Sequence, residues 1–310
     1  MPELQCERLH FPSADGQHTI AAVVYTMPNV PVRAVLQLSH GMCEYVRRYE
    51  PMARWYAAHG IALAGNDHLG HGDTAAPDER GCYGAGRGRY NLLDDLHTMN
   101  RKLHEKFPHL PLALYGHSMG SFYARWYAEK WPETIDLLIL SGTAGPSISN
   151  RMGHGMAATI AKFRGDRYVS PFMVKMNFGS FNKRIPDAVS PNAWLTRDDK
   201  VVQAYDADPL CAFSFSAATY REMLATINHV SSKKWANAMP KDLPVLLIAG
   251  EGDPVGGYGT GVKEVYSMLG NAGVRDITCQ LYAEARHELH NELNKEDVFN
   301  YVQAWIDDRI

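Results

Sequence analysis

The stretch Leu112-Ala113-Leu114-Tyr115-Gly116-His117-Ser118-Met119-Gly120-Ser121-Phe122-Tyr123-Ala124-Arg125 decides the fold. Its first four residues are a short apolar run of strand type. Residues 119–131 read as a helix, and between the two lies GHSMG, an instance of Gly-x-Ser-x-Gly. A serine hydroxyl is a weak nucleophile; it needs exposure, an adjacent base and a place for a developing oxyanion. A sharp turn from strand to helix meets these needs. It holds the serine at the head of a sheet, and small flanking residues keep side chains out of neighbouring backbone. The helix N-terminus beyond supplies free N–H groups and a favourable dipole. The motif alone arises by chance in a glycine-rich chain, so the strand-turn-helix context carries the reading.

The same alternation extends outward. Residues 19–25 (TIAAVVY), 34–38 (AVLQL), 61–64 and 137–140 read as strands. Residues 51–59, stopped by Gly60, and 92–107, ending before Pro108, read as helices. The pattern returns with a strand at 244–249 (PVLLIA), a helix near 261–269, a strand at 277–282 (ITCQLY) and a closing helix over 295–310. Between the two blocks no clear short strand appears, and Gly and Pro interrupt short helix-like pieces rich in Met and aromatic residues. The expectation is an α/β protein: a doubly wound, mostly parallel sheet formed by residues 1–145 and 241–310, with a mainly helical cap over 146–240.

In this strand-turn-helix architecture the acid and the base follow the serine in the order Ser, Asp, His. The strand PVLLIAG runs into Glu251-Gly252-Asp253-Pro254, which puts Asp253 at a carboxyl strand end, where open α/β sheets place catalysis. His287 falls in the loop after the last strand, at the same edge. Glu251 is an alternative acid and His290 an alternative base. The strand before the cap ends in Ser141-Gly142-Thr143 and offers no carboxylate. For the oxyanion, the backbone N–H of Met119, next to the nucleophile, is one donor. Met42, in the loop Ser39-His40-Gly41-Met42-Cys43-Glu44, is the expected second. Glu44 and Arg48, four apart at the start of a helix, are expected to pair, the plainer alternative being a solvated surface contact.

Bulk properties narrow the class. The 310 residues suffice for a large core, and the formal charge of -3 points to no nucleic-acid partner. Residues 1–10 contain acids and no apolar run, so they read as neither a signal nor a transit peptide, and no stretch is long and apolar enough to span a membrane. The five scattered cysteines suggest a reducing, cytoplasmic setting. With no CxxC pair and no HExxH helix, neither a metal nor another cofactor is expected.

On these residues the chain resembles the monoacylglycerol lipase and lysophospholipase-like group of α/β-hydrolases, which includes serine aminopeptidase-like sequences. His40-Gly41-Met42-Cys43-Glu44 followed by Arg48-Tyr49 resembles the family's HGxxE…RY segment. Asp67-His68-Leu69-Gly70-His71-Gly72-Asp73-Thr74 is similar to its DxxGHGxS loop, GHSMG matches letter for letter, and Gly250 to Asp253 with His287 match its late motifs. Tyr45, Leu69 and Thr74 depart from the common His, Arg and Ser. The resemblance implies an eight-stranded sheet, a cap inserted after the sixth strand over an acyl-binding tunnel, and hydrolysis of small ester or lipid substrates.

The insertion adds one more signal. Residues 146–185 hold seven basic side chains (Arg151, Lys162, Arg164, Arg167, Lys175, Lys183, Arg184) against the single acid Asp166, interspersed with Met and Phe. That composition suits transient contact with an anionic lipid surface, or else a solvated face over a packed cap. Two rival functions stay open: amide cleavage or acyl transfer by the same three residues, and non-catalytic binding of a small hydrophobic ligand. Epoxide hydrolases and dehalogenases of this fold carry Asp at the elbow, where this chain has Ser118.

Overall fold

A computed structural model describes residues 3–211 and 213–310. The chain begins with β1 (Gln5–Pro12), β2 (Thr19–Thr26) and β3 (Ala34–Ser39). Helix α1 (Glu50–Ala58), β4 (Ile61–Asn66), α2 (Gly88–Lys106), β5 (Leu112–His117), α3 (Met119–Lys130) and β6 (Leu137–Ser141) follow. Five helices come next: α4 (Ile148–Arg164), α5 (Pro171–Phe178), α6 (Asp199–Ala207), α7 (Ala217–Val230) and α8 (Lys233–Ala238). The chain closes with β7 (Val245–Gly250), α9 (Thr260–Asn271), β8 (Ile277–Tyr282) and α10 (Lys295–Asp307).

The eight strands form one sheet in the order β1-β2-β4-β3-β5-β6-β7-β8. The hairpin β1-β2 and the pair β2-β4 are antiparallel, and every other pairing is parallel. Strands β3 to β7 are buried along their whole length, which is why they read as unbroken apolar runs. Helices α1 and α10 cover one face through Met52, Tyr56, Val298 and Trp305. The other face is covered by α2, α3, α7 and α9 through Leu92, Tyr123, Met223 and Val265. Because β3 to β8 run parallel, the loops after β3, β5, β6, β7 and β8 all leave from the same edge.

The strand β1 was not read from the sequence. Seven of its eight residues stay at least partly accessible, so it has no apolar signature, and it exists through its pairing with β2, from Gln5 opposite Thr26 to Pro12 opposite Thr19. The interval between β6 and β7 is helical. It is anchored rather than loosely attached: α7 packs on α2 and α3, and α4 packs on α7 through Gly153, Ala157 and Ala161. At its base, the buried Arg125 of α3 donates to the carbonyls of Ala144 (2.9 Å), just after β6, and of Val230, the last residue of α7. Trp235 of α8 lies 4.3 Å from that guanidinium and donates its indole N–H to the Arg125 carbonyl. Among the described residues no helix is long and apolar enough to cross a membrane.

Candidate active site

Ser118 takes φ 51° and ψ -119°, a backbone conformation that few non-glycine residues adopt. The turn is held on both sides: the Ser118 N–H donates to the Ser141 carbonyl of β6 (2.9 Å), and the Ser121 hydroxyl donates to the Ser118 carbonyl (2.6 Å). Gly116 and Gly120 are required by contact. A Cβ at Gly116 would sit 2.7 Å from that of Ala124, and one at Gly120 would land on the Ser39 carbonyl. The turn thus brings α3 against β3 and leaves the serine facing a cavity of about 970 Å³, which is also lined by Met42, Met119 and His287.

Asp253 and His287 meet. The Nδ1 of His287 lies 2.9 Å from Oδ2 of Asp253, and both groups are buried. A carboxylate only accepts, so the proton sits on Nδ1 and leaves Nε2 as the basic nitrogen. The other Asp253 oxygen accepts the Val255 N–H (2.8 Å). Burial works against protonation of His287. The charge and hydrogen bond of Asp253 outweigh it, with Glu288 and Glu44 adding, so the imidazole pKa lies above its usual value. Glu251, the alternative acid, is exposed, and His290, the alternative base, is buried and stacked on Tyr49 at 4.2 Å. Burial drives the His290 pKa down to about 3.

The loop after β3 is locked in detail. The Gly41 N–H donates to Glu44 Oε1 (2.5 Å), and the Gly41 carbonyl accepts from His40 Nδ1 (2.8 Å). His40 Nε2 accepts the His68 N–H (3.0 Å) from the loop after β4, so two loops set the aim of the Met42 N–H that follows. The Met119 N–H is the first of α3 and has no acceptor within its own helix. Two N–H groups from separate loops beside one hydroxyl form an arrangement able to bind an oxyanion.

Glu44 and Arg48 pair at 2.8 Å, but the contact is no solvated surface pair. Arg48 is also bidentate to Glu288 (2.8 and 2.9 Å), and Tyr49 donates to Glu44 (2.8 Å), all beneath the site. Burial disfavours the Glu288 carboxylate, but the Arg48 guanidinium outweighs it and holds the group below the usual carboxylate range. The sequence hid this network because Glu288 is 240 positions from its partner. Glu44, Glu288 and His290 bring possible ligand atoms within 4.8 Å of one another, yet Arg48 lies on both carboxylates and neutralises the charge a cation would need. His117, in the motif itself, packs 4.8 Å from the His287 ring; burial and that neighbour push its pKa well below the usual value.

A model of the serine aminopeptidase S33 family matches residues 30–294. Human monoglyceride lipase is 25% identical over 97% of this chain and 90% of its own length. The monoacylglycerol lipase of Mycolicibacterium smegmatis is 27% identical over 95% and 98%. Among solved structures, a thermostable carboxyl esterase from Bacillus coagulans in complex with glycerol superposes with a TM-score of 0.91 at 28% identity, covering 98% of each chain. The parallel sheet, the strained serine after β5 and the family match over most of the length lead to one assignment: the chain belongs to the serine aminopeptidase S33 family of α/β-hydrolases.

Proposed function

We propose that the chain hydrolyses carboxylic esters of monoacylglycerol or lysophospholipid type, with Ser118 as nucleophile, His287 as base and Asp253 as the acid that orients it. The Ser118 oxygen attacks the acyl carbonyl while His287 Nε2 takes its proton, and the carbonyl oxygen becomes an oxyanion held by the Met42 and Met119 N–H groups. Collapse of this intermediate breaks the ester bond, and the imidazolium returns its proton to the leaving alcohol. Water repeats the cycle on the acyl-enzyme and frees the acid. The observation that carries the reading is the buried Asp253–His287 hydrogen bond beside a cavity shared with Ser118. Its size, about 970 Å³, is at the upper end for small-ligand sites and accommodates a long acyl chain. The activities of the similar lipases and esterase support the substrate class.

Residues 146–240 serve in this reading as the lid over the cavity, and the outer side of α4 and α5 as a transient contact with an anionic lipid surface. A reducing cytoplasmic setting suits the five free cysteines. The test is direct. Ser118→Ala is expected to lower p-nitrophenyl ester turnover by about 10⁴-fold or more with circular dichroism unchanged, and to lose labelling by a fluorophosphonate. A panel of monoacylglycerols, lysophospholipids and aminoacyl arylamides then ranks substrates. Near-normal turnover in the variant would refute the nucleophile, and preference for arylamides would refute the ester class.

A further inference from the structure

The cap interval touches the loop of the base itself. Residues Ala193 to Thr196 are buried, while most of the interval before them is accessible. Their main chain runs alongside the loop after β8: the His287 N–H donates to the Trp194 carbonyl (3.4 Å) and the Glu288 N–H to the Leu195 carbonyl (2.7 Å). Arg286, the residue before the base, donates from one guanidinium nitrogen to the carbonyls of Ala193 (2.7 Å) and Thr196 (2.9 Å). The Thr196 hydroxyl donates to the Asn291 carbonyl (2.9 Å), and the Trp194 ring lies 5.0 Å from the His287 imidazole, tilted by 43°.

These bonds converge on the two peptide units that carry His287. An imidazole on a free loop would sample several rotamers, and small displacements of a base lower turnover steeply. We infer that Arg286 and the 193–196 segment form a strap that positions His287, with Arg286 as a positioning residue for the base. The inference rests on the hydrolase reading only for what the base does, since the strap itself is a matter of geometry. It divides the cap: the strapped segment positions the base, whereas α4 and α5 contribute only cavity wall, through Asn150, Gly153, Met176 and Phe178.

Charged and titratable groups face His287 from several elements: Asp253 after β7, Glu44 and Arg48 after β3, His117 at the elbow, and Glu288 and His290 on its own loop. The charge and hydrogen bond of Asp253 raise the pKa of the imidazole only while His287 is held against that carboxylate, so loosening the strap lowers it. The experiment uses the full chain labelled with ¹⁵N-histidine, with the His287 signal assigned by its loss in His287→Gln. Arg286→Ala is expected to lower kcat for a short p-nitrophenyl ester by about 10- to 100-fold with KM nearly unchanged. The His287 pKa should move down, toward that of an ordinary imidazole. Methylguanidinium should restore part of both, and Arg286→Lys should fall between. If Arg286→Ala does not fold, Thr196→Val and Arg286→Lys are read in the same way. Unchanged kcat and unchanged His287 pKa in the folded variants overturn the strap. A wild type that cleaves no ester, yet shows a His287 pKa that falls in the variants, keeps the strap and overturns the hydrolase reading.

Discussion

Gly142 follows β6 and takes φ +61°, and a Cβ there would come within 2.9 Å of His287 Cε1 and 3.0 Å of Nδ1. The residue is the floor beneath the imidazole. Gly142→Ala is therefore expected to displace the ring and cut kcat on soluble esters by about 10- to 100-fold, an effect of misplacement rather than of lost chemistry. A variant with unchanged kcat and intact fold would remove Gly142 from the site. A second residue-scale prediction concerns His71, whose ring packs against Phe213 and Phe215 at 5.5 and 5.4 Å. Burial lowers its pKa to about 4. Unfolding restores an ordinary value near 6.5, so the unfolded chain binds the proton first as the pH falls. The neutral ring's contribution is complete above about pH 6.5 and is lost between there and about pH 4. His71→Phe removes that loss. Its urea midpoint should fall less than that of the wild type between pH 7 and pH 4.5, and parallel decreases would contradict the assignment.

The elements divide by what sets their ends. Helices α4 to α8 each begin with a side chain that accepts from their own first turn: Ser147, Ser170, Asp198, Ser216 and Ser232. Helices α1, α2, α3, α9 and α10 have no such bond and are placed by the strands beside them. Ser216→Ala should thus cost about 1 kcal/mol of stability, read from denaturant midpoints, because α7 is a cap helix that packs on the core helices α2 and α3. A change near zero would mean that packing alone fixes its start. The same division explains what the sequence made legible. The buried strands β3 to β7 and the loops at their carboxyl ends stand out because burial on both faces forces apolar runs. The cap helices do not, although their Ser and Asp caps were available as punctuation. Helix α2 starts at Gly88, before the first apolar residue of its stripe at Leu92, because its first turn buries Gly88 and Asn91 and no aliphatic side chain that would mark it. The candidate residues Ser118, Asp253 and His287 are legible through loop order, and Asp253 and His287 do meet. The Arg48–Glu288 bond and the strap over His287 join residues far apart in the chain, and no local pattern encodes such pairs.

Across the whole molecule, several of the most exposed large apolar side chains belong to α4 and α5 of the cap. Ile148, Met152, Phe163 and Phe172 are 75%, 68%, 76% and 59% exposed. On α4 the spacing of Ile148, Met152 and Phe163 places them on one side, with the Gly153-Ala157-Ala161 stripe that meets α7 on another. The basic residues of the interval are not equivalent. Arg167 is tied to Asp78 and Arg184 stacks on Tyr258, whereas Arg151, Lys162 and Lys175 are exposed with no carboxylate within 4 Å among the described residues. A water-facing helix has no use for such an apolar side, while an interfacial one buries it among acyl chains as its cations meet headgroups. Since the chain carries a net charge of -3, attraction to an anionic surface has to come from this local patch and not from the molecule as a whole. Sedimentation with phosphatidylserine vesicles is expected to bind the protein at low salt and to weaken steeply as ionic strength rises through about 0.15 M, where charges are screened within about 8 Å. Phe163→Ser should weaken binding at every salt concentration, and an Arg151→Glu, Lys162→Glu double variant should mainly remove the salt dependence. Hydrolysis of a short soluble ester should be spared in both, because Phe163, Arg151 and Lys162 neither line the cavity nor touch the strap or the loops around Ser118. Equal binding to neutral and anionic vesicles, or binding indifferent to Phe163, would show that this side of the cap faces water.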